Sequence, residues 1–239
     1  MVKQIGEFQG EFRFLSNFYP AAVIYNGMRY SNNEAAFQAQ KETDPAMRAK
    51  YADLAPNEAK RMGRQARLVA GWDNMRICVM RDCVSAKFRQ NGKLAQDLLD
   101  TGDASLIEGN HWRDTFWGIC GGKGENHLGQ ILMRLRADLR SERTLPQRQV
   151  LIRIKKAGSP AAALRDPDAI HVVLYGIRLD GVIDTLKECL SEARAAMAQN
   201  ADPAWTDRCA VCQALERLYH DTGVPYQIEP VNGLTVIEA

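Results

Sequence analysis

The sequence predicts an α+β protein, mainly helical with a few short strands, on three observations. Residues 73–90 and the stretch from Asn126 repeat apolar side chains at helical spacing. The segment before residue 32 interleaves aromatic and β-branched residues with Pro20 and the dipeptide Asn26-Gly27. Beyond Pro146 the runs VLIRIK and IHVVLYG read as strands, followed by two more amphipathic stretches. With 239 residues the chain can bury a sizeable core and hold a large domain plus a small one. The expected division is 1–145 and 146–239, with SERTLPQRQ as the linker.

Taken in order, FRFLSNFYPAAVIYNGMRYSNNE should supply strands near 20–25 and 28–31, because Asn-Gly favours a tight hairpin turn. Ser31, Asn32 and Asn33 then offer N-cap oxygens to EAAFQAQK, a run of good helix formers, which places Glu34 in a first helical turn. Helices follow over 57–64 and 73–90, the second with Ile77, Met80, Val84 and Phe88 on one face. A short helix near 93–100 leads into the irregular stretch TGDASLIEGNHWRDTFWGICGGKGEN. From Asn126, Leu128, Ile131, Leu132, Leu135 and Leu139 form an apolar stripe. The C-terminal part is expected to hold two strands, helices over 182–199 and 204–221, and short strands near 226–229 and 234–237. Internal repeats and low-complexity tracts are absent.

Composition narrows the function classes. No run approaches the roughly 20 apolar residues of a membrane helix, and the first ten residues lack a signal-peptide core, so a cytoplasmic location without membrane partners is expected. Six scattered cysteines without disulfide spacing read as reduced thiols. Residues 1–145 carry 21 Lys and Arg against 17 Asp and Glu, and the remainder 10 against 12. That mild basic excess suits a phosphate-bearing ligand or nucleic acid, and falls short of a dedicated DNA-binding domain.

Glu34, Gln38 and Lys41 fall at i, i+4 and i+7, so a carboxylate, an amide and an amine share one helix face. The helix dipole should hold Glu34 anionic, which suits a base or an electrostatic stabiliser. On spacing alone, a solvated face with a capping-type Glu is the commoner arrangement. Gly121, Gly122 and Gly124 around Lys123, just ahead of a helix start, read as a phosphate cradle without the P-loop pattern. Trp72, Trp112 and Trp117 could present flat faces to a base, and Arg64, Arg67 and Arg76 could contact phosphate. The pair Cys209 and Cys212, with His220 nearby, lacks further ligands for zinc, and His111, His127, His171 and His220 show no paired spacing. Neither a metal nor an organic cofactor is expected.

The segments FLSNFYP at 14–20, YNGMRYSNNEAAFQAQK at 25–41, MGR at 62–64, W…M…KF at 72–88, L…TGDASLIEGN at 99–110 and FWG…GKGENHLGQILMRLR at 116–136 together resemble the NADAR, or YbiA-like, family. The likeness covers about 130 residues in order. It implies a NADAR-like catalytic domain over 1–145 and a C-terminal α+β appendage of unassigned role. Family members are N-glycosidases, acting on ribosylamino intermediates of riboflavin biosynthesis or on ADP-ribosylated guanine in nucleic acid. By resemblance, Glu34 matches the catalytic glutamate, Lys41 ends the FQAQK motif, and Trp72 matches an active-site tryptophan. Trp117 and Gly118 match the WG dipeptide. Substrate binding is assigned to Asn17, Phe18, Gln38, Arg64, Trp117, Gly118, Lys123, Gly124 and Asn126. One departure stands out: riboflavin-type members read WGDGG, whereas this chain has Ile119 and Cys120 after WG and its next acid is Glu125.

The resemblance implies removal of ADP-ribose from ADP-ribosylated guanine, with the polymer bearing it as partner. The alternatives are cleavage of a ribosylamino-pyrimidine 5′-phosphate and, from another class, a non-catalytic ADP-ribose-binding module. The last two helices could also join copies of the chain into an oligomer.

Overall fold

The computed structural model describes residues 3–152, 170–176, 181–199 and 207–229. It divides into two compact units: the first holds residues up to Tyr25, Tyr30–Phe88 and Leu94–Arg140, and the second Asn26–Arg29, Arg89–Lys93 and the residues from Ser141 on.

The first unit is mainly helical. A 3-10 turn over Gly10–Leu15 precedes the hairpin β2 (Val23–Tyr25) and β3 (Met28–Tyr30), turned at Asn26 and Gly27, both at positive φ. The helices are α1 (Asn33–Ala39), α2 (Pro45–Ala49), α3 (Pro56–Gly63), α4 (Trp72–Arg89), α5 (Gly92–Asp100) and α6 (His127–Glu142). α2 was not expected; Asp44 caps it by accepting the Ala46 N–H, and Pro45 sits at its first position, where a missing N–H costs nothing. Asn32 caps α1, its Oδ1 accepting the Ala35 N–H at 2.9 Å, an arrangement worth about 1 kcal/mol. α4 departs from the expected stripe. Met80, Val84 and Phe88 are buried, but Ile77 is 38% exposed, and Val79, Cys83 and Ala86 complete the inner face instead.

The stretch expected to be irregular is ordered by two-residue parallel pairings. β1 (Gln4–Ile5) pairs with β4 (Ser105–Leu106), and β5 (Gly109–Asn110) pairs with β6 (Ile119–Cys120). Residues 107 and 108 are thereby strung between two short sheets.

The second unit contains an antiparallel sheet in the order β7 (Gln147–Ile152), β8 (Ile170–Tyr175), β9 (Tyr226–Glu229), with the central strand buried throughout. Ser141 and Glu142 end α6 and Gln147–Gln149 begin β7, so SERTLPQRQ is largely regular structure and not an open linker. Helices α7 (Val182–Gln199) and α8 (Asp207–Thr222) pack on each other, and Leu186, Leu190, Ala193, Val211, Leu215 and Leu218 on them are buried. The apolar faces considered for oligomerisation therefore meet within the unit. Residues 204–206 and the strand expected near 234–237 lie outside the described residues. Arg89 donates two hydrogen bonds to the Glu142 carboxylate, at 2.7 and 2.6 Å, and one to the Tyr226 carbonyl at 3.1 Å. Among the described residues no helix is long and apolar enough to cross a membrane. None of the six cysteines forms a disulfide.

Candidate active site

All seven residues of α1 are buried, which overturns the alternative of a solvated helix face. The Glu34 N–H donates to the Asn17 carbonyl at 3.1 Å, and Asn33 Nδ2 donates to Asn17 Oδ1 at 2.8 Å, so the FLSNFYP segment is fastened to the helix start. Gln38 Nε2 donates to Glu34 Oε1 at 2.8 Å, as the i, i+4 spacing requires. Lys41 Nζ, one turn on, donates to the Gly63 carbonyl at 3.1 Å and lies 5.8 Å from the Trp72 ring centroid. Gly63 permits this closeness: a Cβ there would stand 1.9 Å from Gln38 Oε1. The three groups form one ladder whose back is the end of α3.

Burial and hydrogen-bonding or cationic neighbours act on Glu34 in opposite senses. Burial raises its pKa above the ordinary carboxyl value, against the pull of Gln38, Lys60, Lys41 and Asn17. Desolvation is the largest of these effects. Lys41 moves the other way: burial lowers its pKa, Glu34 partly restores it, and Lys60 and Arg64 depress it further. A carboxyl that holds a proton more readily thus stands in α1, and an amine that loses one more readily stands in the turn just past its end: the helix stops at Ala39, short of the expected run through Lys41.

Phe37, on the same helix, lies between two indoles, 5.3 Å from Trp72 and 5.5 Å from Trp117 by ring centroids. Trp72 is buried rather than openly presented, and Trp117 is half-buried. Arg64 is exposed just past α3, and Phe18, 37% exposed, lies 5.8 Å from Lys60 Nζ.

The glycine-rich loop differs from its expectation. Gly121 and Gly122 both have positive φ, and Cys120 and Lys123 exchange backbone hydrogen bonds at 2.9 and 3.1 Å, the pattern of a two-residue hairpin turn. Those N–H groups are engaged, and Lys123 is exposed and absent from the cations acting on Glu34 or Lys41. Gly118 and Gly124 serve close backbone approach: a Cβ on Gly118 would stand 2.0 Å from the Glu108 carbonyl, and one on Gly124 2.2 Å from the Gly118 carbonyl. Asn126 is likewise occupied, accepting the Glu108 N–H at 3.0 Å and donating to the Leu106 carbonyl at 2.9 Å.

Three residues were missed from sequence. Lys60, one turn before Gly63 and Arg64 on α3, acts on Glu34 and Lys41; helical spacing would have exposed it. Lys87 is buried, donates to the carbonyls of Phe14 and Ser16 at 2.6 and 2.9 Å, and is brought to about 7 by burial, with Glu108 opposing. Glu108 is raised to about 7 by burial, then by Asp114, against Lys60 and Lys87, with Glu34 adding to the rise. No periodicity marks Glu108, because it lies between two-residue strands.

The family model of the NADAR domain matches residues 6–140, more than half of the chain. The chain belongs to the NADAR family. Its NADAR domain is 38% identical over 132 residues to the N-glycosidase YbiA of Escherichia coli, a match covering 54% of this chain and 82% of that protein. A riboflavin biosynthesis protein of Vibrio vulnificus is 40% identical over 132 residues, covering 53% of this chain; the match spans only 35% of that longer protein. The NMR structure of Escherichia coli YbiA superposes with a TM-score of 0.55 at 35% identity, covering 60% of this chain and 89% of that one. The α+β fold of the NADAR domain agrees with this neighbour. The β7–β9 sheet and helices α7 and α8 lie beyond the matched residues.

Proposed function

We propose that the chain is an N-glycoside hydrolase that removes ADP-ribose from ADP-ribosylated guanine in nucleic acid. The activity class rests on the ladder of buried Glu34 and Gln38 with half-buried Lys41, in a domain 38% identical to a protein named an N-glycosidase. The choice of substrate rests on one feature of charge. Between Glu58 and Asp73 the chain carries Lys60, Arg61, Arg64 and Arg67 and no acid, and the three arginines are exposed. A run of cations beside the ladder suits a pyrophosphate and a polymer backbone better than a single monophosphate.

Glu34 stabilises the oxocarbenium-like charge that develops at ribose C1 as the bond to nitrogen breaks, by analogy with O-glycoside hydrolysis. In a second route Lys41, with its ammonium form disfavoured by burial, attacks C1 of the ring-opened sugar as a free amine; the base nitrogen leaves with its electron pair and a proton as the Schiff base forms, and water then hydrolyses the Schiff base to free the sugar and the amine. Borohydride added in the presence of ADP-ribose should leave a covalent adduct on Lys41; an enzyme that stays unlabelled while turning over would remove the covalent step.

The name of the Vibrio relative favours a second reading, cleavage of a ribosylamino-pyrimidine 5′-phosphate. Sugar release from each substrate, measured as kcat/KM over a range of salt, separates the two. Charge reversal at Arg64 and Arg67 should cost at least about tenfold on modified DNA and under about threefold on the riboside phosphate. Equal losses on both would favour the small substrate.

A further inference from the structure

The site has a second carboxyl group that no motif announced, and its surroundings differ from those of Glu34 in one decisive respect. Glu34 accepts from Gln38 Nε2 and is further supported by Asn17, Lys41 and Lys60. Glu108 Oε2 is buried with no hydrogen-bond partner among the described residues. Its main chain, by contrast, is fixed on both sides: the N–H donates to Asn126 Oδ1 at 3.0 Å, and the carbonyl accepts the Ile119 N–H at 2.9 Å. The neighbouring Ile107 N–H donates to the Ile5 carbonyl at 2.9 Å. Gly118, of the WG dipeptide, is required because a Cβ there would meet the Glu108 carbonyl at 2.0 Å and its Cγ at 3.0 Å. A rigidly held backbone thus carries a carboxyl oxygen with no donor to solvate its negative charge, and such an oxygen is best satisfied by a proton.

Building on the N-glycosidase reading, we propose that Glu108 is the acid of the reaction, giving its proton to the leaving nitrogen while Glu34 acts as the charged partner. It fills the role left open where Ile119 and Cys120 follow the WG dipeptide. As the C1–N bond breaks, its electron pair stays on nitrogen and takes the Glu108 proton. The oxygen of a water bonds to C1, directly or by release of the Lys41 adduct, and a water proton passes to Glu34. One water is added across the bond, the two carboxyl groups exchange protonation states, and proton exchange with solvent restores them. The charged groups acting on Glu108 fit this division. Asp114 and Glu34 favour its protonated form, Lys60 and Lys87 favour its anion, and burial decides for the proton, holding the group at about 7.

The test is Glu108→Gln, assayed on the substrate that the wild type cleaves. Wild-type kcat should fall with rising pH above about 7, the limb that deprotonation of Glu108 creates. In the variant kcat at pH 6 should drop by at least about 100-fold with KM within about threefold, and the limb should vanish. Carboxyl-carbon NMR of Glu108 in the wild type should show titration near 7 that moves down in Glu34→Gln, a result that holds even if Glu108→Gln fails to fold. Titration in the ordinary carboxyl range, or a folded variant that keeps its kcat or its basic limb, would overturn the proposal. A wild type that releases sugar from neither substrate overturns the N-glycosidase reading and this one with it; an active wild type with an unaffected Glu108→Gln overturns this one alone.

Discussion

At the residue scale, the roles proposed for Glu34 and Lys41 rest on a buried carboxyl beside a half-buried amine. Glu34→Gln keeps the shape of the ladder and removes the charge, and Lys41→Ala removes the amine; each should lower turnover by at least about 100-fold, read from steady-state kinetics. Stability carries a second signature. Glu108 is held at about 7 against an ordinary 4.5, so the fold favours its protonated form. Its contribution is complete below about 4.5 and is lost as pH rises through 7. Lys87, lowered from 10.5 to about 7, works in the opposite sense, contributing above its ordinary value and losing that contribution as pH falls through 7. Unfolding midpoints at pH 5 and pH 8 should therefore move in favour of Glu108→Gln, relative to wild type, as the pH is raised. A constant difference would show that Glu108 titrates normally in the fold. The sequence singled out Glu34, Gln38 and Lys41 because their i, i+4 and i+7 spacing coincides with the FQAQK segment of the NADAR resemblance; spacing alone favoured a solvated face. It left Glu108 and Lys87 silent, because burial comes from distant segments such as Phe14, Ser16 and Asn126.

At the element scale, the ladder depends on how closely α3 approaches α1. Gly63→Ala would drive a methyl group into the Gln38 amide, which must swing away from Glu34. The displaced atoms lie near the end of a flexible side chain and Gly63 has no positive φ, so the fold should survive while kcat falls by about tenfold or more. An unchanged kcat would show that the amide is dispensable. Gly118→Ala meets a backbone carbonyl instead, and a cost of about 1–3 kcal/mol in urea unfolding is expected. Local rules located the longer helices α4 and α6 and the Asn26-Gly27 turn, and missed the five-residue α2. They failed at β1, β4, β5 and β6, because two-residue strands are too short to carry a periodicity, and the β1–β4 pairing joins segments 101 residues apart. Gly121 and Gly122 carry the same sequence signal for a hairpin turn as for a phosphate loop, since both need the same backbone freedom.

At the scale of the whole molecule, the NADAR domain holds the site and the second unit is stabilised in its own way. Arg89 and Glu142 form a buried, doubly hydrogen-bonded pair that also engages the Tyr226 carbonyl. Glu142→Ala should cost about 3–5 kcal/mol in chemical denaturation, because a desolvated guanidinium loses its counter-charge. A loss below about 1 kcal/mol would show that water reaches the pair. The central claim concerns the chemistry of the NADAR domain, and one measurement addresses it most directly: ADP-ribose released from ADP-ribosylated guanine DNA by the wild type and by Glu34→Gln at matched unfolding midpoints. The expected result is steady release by the wild type and a rate lower by at least about 100-fold in the variant. Equal rates in the two proteins, or no release by the wild type from this DNA or from the riboside phosphate, would contradict it.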